Sequence, residues 1–296
     1  MQYLKENGLK KINYTSQIYE IEKFEENEIY IMRDDLIPFS FGGNKARKAY
    51  NFFNKILTER YNFVITYGSA SSNHCRIIAN LAKKSNIGCT IISTEKEHET
   101  NNKLMCEMFG AEFIYCKVEE VKNTIEEQMK QKKELNYKPY FIQGGGHGSL
   151  GTQAYIDAYS EIIEFQQVNN IKFDYIFHAS GTGTTQAGLN LGKMINDSKA
   201  SIVGISIARK LPRGRQVVVE SIKEYMSENS INKEFKDKEV EFVDDYILEG
   251  YGKYNKEILK VIEEVMCKHR NTNGYNIYRK SILGNERIYK KKRVEK

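Results

Sequence analysis

The chain has no tryptophan and only three prolines, Pro38, Pro139 and Pro212. That scarcity excludes collagen-like and proline-rich disordered classes, and the 40% apolar and 11% aromatic fractions are those of an ordinary globular protein. No apolar run approaches the roughly eighteen residues of a membrane-spanning helix. The first residues, Met1-Gln2-Tyr3-Leu4-Lys5-Glu6, hold no apolar stretch of the secretory type. The five cysteines, Cys75, Cys89, Cys106, Cys116 and Cys267, are odd in number, lie far apart and show no Cys-x-x-Cys spacing. Neither structural zinc nor a disulfide framework is indicated, and a cytoplasmic protein with reduced thiols is expected. A basic stripe interleaved with aromatics is also missing. The net charge of +6 comes from scattered lysines and, in good part, from Lys290 to Lys296, so nucleic acid is not expected as a partner.

What the chain does have is alternation. Short apolar runs that suit buried strands (Ile29–Met32, Phe63–Tyr67, Cys89–Ile92, Glu112–Tyr115, Tyr140–Ile142, Asp174–Ala179, Ser201–Ser206, Val240–Val243) are interleaved with stretches of helical period. The helices are expected at Asn44–Leu57, Asn73–Lys84, Leu104–Phe109, Glu119–Leu135, Thr152–Phe165, Gln186–Ile195, Gln216–Met226 and Asn255–His269. This is the pattern of parallel βαβ units, and 296 residues leave room for two domains. No internal repeat or low-complexity linker marks a boundary.

Two motifs carry chemistry. Lys45 stands in Phe41-Gly42-Gly43-Asn44-Lys45-Ala46-Arg47-Lys48, and Ser180-Gly181-Thr182-Gly183-Thr184-Thr185-Gln186-Ala187-Gly188 joins a strand to a helix start. A lysine amine that forms a Schiff base and a glycine turn whose N–H groups face a phosphate are the two attachments that pyridoxal phosphate needs. Alone, the first is a solvated helix-face lysine and the second a plain turn; together they point to that cofactor. Ser72 and Asn73 begin a helix after a strand, where capping is the ordinary role of such side chains. His74 has no second ligand at metal spacing and is expected to pack rather than bind metal. Gly144-Gly145-Gly146, taken by itself, reads as a plain glycine turn.

Taken in order, Arg33-Asp34-Asp35-Leu36-Ile37-Pro38-Phe39-Ser40-Phe41-Gly42-Gly43-Asn44-Lys45, then Ser72-Asn73-His74, Gly181 to Thr185 and Gly250-Tyr251-Gly252 resemble the D-cysteine desulfhydrase and 1-aminocyclopropane-1-carboxylate deaminase family, over nearly the whole chain. The resemblance implies an α/β protein of two doubly wound domains, tryptophan synthase β-like, with the cofactor in the cleft between them. The large domain would comprise 1–45 and 155–296 and the small one 46–154. It further implies that Lys45 binds the cofactor and moves the Cα proton, and that Asn44 lies near the cofactor. Asn73 would meet its ring hydroxyl, and Ser72 the substrate carboxylate. Gly181, Thr182, Gly183, Thr184 and Thr185 would take the phosphate, and Tyr251 would approach the substrate side chain. Gly144-Gly145-Gly146 with Gly151-Thr152-Gln153 resembles the family's stretch from the small domain into the long helix of the large one, a reading that stands equal to the plain turn. Family members usually carry Gln where this chain has Ser71. The implied reaction is β-elimination from a small D-amino acid, D-cysteine foremost, without a metal. The alternatives are deamination of 1-aminocyclopropane-1-carboxylate, a β-replacement transferase, and a cofactor-binding homologue of impaired activity. A homodimer is expected, as relatives commonly form one.

The C-terminal stretch departs from the family. Relatives end in a segment like Tyr-Thr-Gly-Lys-Ala, whose hydroxyl residue meets the pyridine nitrogen in desulfhydrases and whose deaminase counterpart is Glu; this chain has Tyr278-Arg279-Lys280-Ser281-Ile282. One back-translation of Ile277 to Glu286, read one base later, spells Tyr-Thr-Gly-Lys-Ala-Phe-Trp-Gly-Met. A frameshift near Gly274 is therefore expected to have replaced the native end, and the Thr in the hidden motif leans towards desulfhydrase.

Overall fold

A computed structural model describes residues 16–24, 27–94, 99–248 and 255–269. Among them the chain runs β1 (Ile18–Phe24), β2 (Asn27–Met32), α1 (Asn44–Thr58), β3 (Phe63–Tyr67), α2 (Asn73–Lys84), β4 (Gly88–Ser93), α3 (Asn101–Met108), β5 (Glu112–Tyr115), α4 (Val121–Glu134) and β6 (Pro139–Ile142). It continues with α5 (Ser149–Asn169), β7 (Tyr175–Ser180), α6 (Thr184–Ile195), β8 (Ser201–Ser206), α7 (Arg213–Glu228), β9 (Glu241–Val243) and α8 (Lys256–His269). The expected elements are all present with ends shifted by a few residues. Strand β1, which the periodicity did not single out, is added.

The chain divides into two compact units, one built on Leu36–Gly151 and the other on the described residues within Thr15–Asp35 and Thr152–Lys296. By compactness Lys45 thus belongs to the first unit. That unit holds a four-stranded sheet in the order β5-β4-β3-β6, every pair parallel. Strand β3 is buried along Phe63–Thr66, as a central strand covered on both faces must be. Helix α1 buries Ala46, Lys48, Ala49, Phe52, Phe53 and Ile56, one stripe of helical period, apolar but for Lys48. With Ile77, Ile78 and Leu81 of α2 the apolar ones form the unit's core against Val64, Ile91 and Ile142.

The second unit carries a parallel three-stranded sheet, β7-β8-β9, and the antiparallel ribbon β1-β2. Ile18 and Met32 of the ribbon pack on a cluster containing Tyr155, Tyr159 and Leu189. The segment after β2 is held by charge: Arg33 donates bidentately to Asp35, Nε to Oδ1 at 2.7 Å and Nη2 to Oδ2 at 2.6 Å, and Nη1 donates to the Tyr19 hydroxyl at 2.6 Å. Asp34 accepts from Ser16 Oγ at 2.6 Å and from the Tyr155 hydroxyl. These buried carboxylates have partners, which is the condition for burying them. Among the described residues no helix is long and apolar enough to cross a membrane.

Candidate active site

Strand β3 ends at Tyr67, and the turn after it delivers Ser72 as the N-cap of α2, its Oγ accepting from the Cys75 N–H at 3.3 Å. Capping is therefore real, and it leaves Ser72 and Asn73 at the positive end of a helix dipole, beyond the carboxyl end of a parallel strand. Lys45 stands in the first turn of α1, just after the N-cap Gly43, and its Nζ donates to the Gly145 carbonyl at 2.9 Å. Gly144–Gly146 follows β6, the neighbour of β3. The first unit thus gathers Lys45, Ser72 and Asn73 with the glycine run beyond the carboxyl ends of β3 and β6, Asn44 preceding Lys45 on α1.

The surroundings of Lys45 disfavour further positive charge. Lys48, one turn on, is 1% exposed, and burial first, then Lys45, holds its amine well below the usual lysine range. His74 is pushed down to about 3 by burial first, then by Lys45 and Lys48. Thr66 Oγ1 donates to the Ile142 carbonyl at 2.8 Å and lies 2.9 Å from His74 Nε2. Its single proton is committed, so Thr66 accepts from the ring, and a neutral His74 carries its proton on Nε2. This is the packing role expected for His74. The helix dipole end beside Lys45 favours an anionic guest.

In the second unit the loop Gly181–Gly183 joins β7 to α6. Gly183, the N-cap, has φ +99, and a Cβ there would meet the Val217 carbonyl oxygen at 3.0 Å, so only glycine fits. It offers no side chain to the helix end. Thr182 Oγ1 is buried and has no hydrogen-bond partner among the described residues, which calls for a polar guest at this loop. With the N–H groups of the first turn of α6 behind it, the loop suits a phosphate. Each unit by itself thus holds chemistry that pyridoxal phosphate needs: the first an amine suited to its aldehyde, the second a loop suited to its phosphate.

Three residues bear on these loops that sequence reasoning passed over. Arg209 donates from Nη1 to the Gly181 carbonyl, and burial first, then Arg213, lowers its pKa. Gln186, fully buried, accepts from Ser180 Oγ at 3.0 Å and donates from Nε2 to the Glu241 carbonyl at 2.6 Å, pinning the loop's base to β9. Lys48 is the third; only its spacing from Lys45, one helical turn, hinted at a shared environment. Tyr251 and the departing segment after Gly274 lie outside the described residues. Cys75, Cys89 and Cys106 are buried free thiols, and the described residues hold no group of metal ligands.

Comparison with known proteins gives the same picture. The chain is 32% identical over 244 residues to a Pyrococcus abyssi protein named "Putative 1-aminocyclopropane-1-carboxylate deaminase", covering 80% of this chain and 72% of the relative. It is 29% identical over 248 residues to the D-cysteine desulfhydrase of Serratia proteamaculans, covering 80% and 73%. Among solved structures, an ACC deaminase homologue superposes with a TM-score of 0.82 at 28% identity, over 92% of this chain and 84% of the other. The fold is that of the tryptophan synthase β-like α/β enzymes. The family model described as pyridoxal-phosphate dependent enzyme matches residues 13–272, and the chain belongs to that family, whose members use pyridoxal 5′-phosphate.

Proposed function

We propose that the chain is a lyase that eliminates the β-substituent of a small D-amino acid, converting D-cysteine and water to pyruvate, hydrogen sulfide and ammonia. The observation that carries the reading is the Lys45 amine, set on the Gly145 carbonyl in the same unit as Ser72 and Asn73. In this reading Lys45 anchors the cofactor through its aldehyde and, once substrate has taken that place, removes the Cα proton. Bound pyridoxal phosphate supplies the electron sink that makes that proton acidic. Ser72 and the N–H groups of α2 hold the substrate carboxylate, and Asn73 meets the ring oxygen of the cofactor, with Asn44 beside it. Gly181, Thr182, Gly183, Thr184 and Thr185 hold the phosphate, Thr182 bringing a hydroxyl without a partner among the described residues. Tyr251 stands near the leaving thiol. The expected domain limits, 46–154 for the small domain, belong to this proposal, as do a cytoplasmic location and a homodimer.

Reduction of the purified, cofactor-supplied protein with borohydride should leave a pyridoxyl mass on the peptide containing Lys45, and Lys45→Ala should remove both that adduct and the visible absorbance. An adduct on another lysine overturns the assignment. Pyruvate and sulfide from D-cysteine test the reaction. The names of the Pyrococcus relative and of the structural neighbour favour a second reading, deamination of 1-aminocyclopropane-1-carboxylate. Ammonia from that compound, with none from D-cysteine, would decide for it. Product formed only with an added thiol would mark a transferase, and a bound cofactor without turnover an impaired enzyme.

A further inference from the structure

The first unit contains a hydrogen-bond network that none of these roles uses. Arg76, in the first turn of α2 and 7% exposed, donates from Nη1 to Asn73 Oδ1 at 2.7 Å and to Asn102 Oδ1 at 2.6 Å. Its Nη2 donates to the Ser40 carbonyl at 2.9 Å and its Nε to the Ser40 hydroxyl at 3.3 Å, and the guanidinium lies 5.2 Å from the Phe41 ring centre. Asn102, at the start of α3, donates from Nδ2 to the Ser71 carbonyl at 2.7 Å and to Asn73 Oδ1 at 3.1 Å.

A guanidinium has only N–H groups to offer. The atoms that Asn73 and Asn102 turn towards it must be their carbonyl oxygens, since flipping either amide would set donor against donor. Asn73 Oδ1 therefore takes N–H groups from two residues, while its Nδ2 has no partner among the described residues. Building on the reading of Asn73 as the partner of the cofactor's ring oxygen, we propose that Arg76 and Asn102 are positioning residues that present Asn73 to that oxygen as a hydrogen-bond donor only.

Two consequences follow from the charge and the geometry. An N–H donor polarised by a cation on the far side of its amide favours the deprotonated form of the oxygen it meets. The same guanidinium grips Ser40, in a turn where Ser40, Phe41, Gly42 and Gly43 all have positive φ (48, 59, 57 and 87), immediately before the helix that carries Lys45 begins at Asn44. One cation thus ties the helix start bearing Asn73 to the turn that leads into Lys45.

The test uses the full chain supplied with pyridoxal phosphate and reads cofactor Kd, the pH at which the bound cofactor's absorbance changes, and thermal unfolding. Asn73→Asp keeps an oxygen towards Arg76 and Asn102 but has no outward N–H. It should fold, bind cofactor about tenfold or more weakly, the scale of one lost hydrogen bond to a charged group, and move the absorbance transition to higher pH. Asn102→Ala should shift both readouts in the same direction by less, and should add nothing in an Asn73→Ala background. Arg76→Gln should match or exceed Asn102→Ala; if it does not fold, Asn102→Ala carries the test. Wild-type Kd and pH transition in Asn102→Ala, or an equal effect with and without Asn73, overturns the proposal. Wild-type affinity and spectrum in Asn73→Ala instead sinks the reading of Asn73 itself, and the proposal with it.

Discussion

Single side chains here are governed by where protons and charges are allowed to sit. His74 is neutral because it is buried, 3% exposed, beside two lysines. Its folded pKa lies below the unfolded one, so the unfolded chain binds more protons between the two values and stability is lost as pH falls through that window. From about pH 7 to about pH 4 this one residue should cost on the order of 3 kcal/mol. The His74→Gln variant, which keeps a donor for Thr66 but does not titrate, should lose correspondingly less, as measured by denaturant unfolding across that range. An unchanged pH slope would show that His74 does not control it. The motif Ser72-Asn73-His74 was visible in the sequence, but the partner that fixes the ring was not, because Thr66 is an ordinary strand threonine until β3 pairs with β6. Lys48 teaches the same lesson with opposite sign: composition puts a lysine in water, and the glycine run behind it buries this one, Gly146 and Gly151 leaving space against its stem.

Elements meet through small residues. Along α6, Gly188 and Gly192 face α5 so closely that a Cβ at Gly188 would lie 2.3 Å from the Thr152 carbonyl oxygen and one at Gly192 2.3 Å from Tyr159 Cβ. The helix therefore trades propensity for contact. Gly192→Ala should lower the unfolding free energy by about 1–3 kcal/mol despite alanine's better helix propensity, read as a drop in Tm with the cofactor absent. A rise in Tm would mean that the helices yield without strain. The helical period of this region was legible, and so was the turn at Gly183. The pairing of Gln186 with Glu241 was not, because it joins residues 55 apart and depends on the sheet order β7-β8-β9. Strand β1 escaped notice because its seven residues, Ile18–Phe24, include the charged Glu20, Glu22 and Lys23, and its pairing with β2 is what makes it a ribbon.

For the molecule as a whole, the division into units is discontinuous. The described residues within 16–35 precede Leu36–Gly151 in sequence yet belong with the second unit, held there by Ser16, Asp34 and Tyr155. A ligand that binds only the folded chain stabilises it by mass action. Pyridoxal phosphate at about a hundred times its Kd should add about 2.7 kcal/mol, seen as a higher Tm that Lys45→Ala largely removes. The family match stops at residue 272, just before the stretch where the frameshift was inferred. A chain carrying the restored Tyr-Thr-Gly-Lys-Ala reading should turn over D-cysteine faster than this one, compared in a pyruvate assay at equal cofactor loading. Equal rates would count against the shift, as would codons at Tyr278–Glu286 that cannot yield that reading.

Alternating apolar runs and helical stripes were enough to set the α/β class. The lysine and the glycine loop were enough to point to the cofactor, since both signals are local: a strand's period, a helix's period, an amine and a turn. Which strands neighbour each other, which lysine is dehydrated and which face of the Asn73 amide is left open are not local properties. They are settled by contacts between residues far apart in the chain, Thr66 with Ile142 or Arg76 with Ser40 and Asn102. Such contacts exist only after folding has excluded water, and burial then lets each remaining hydrogen bond fix a proton's place.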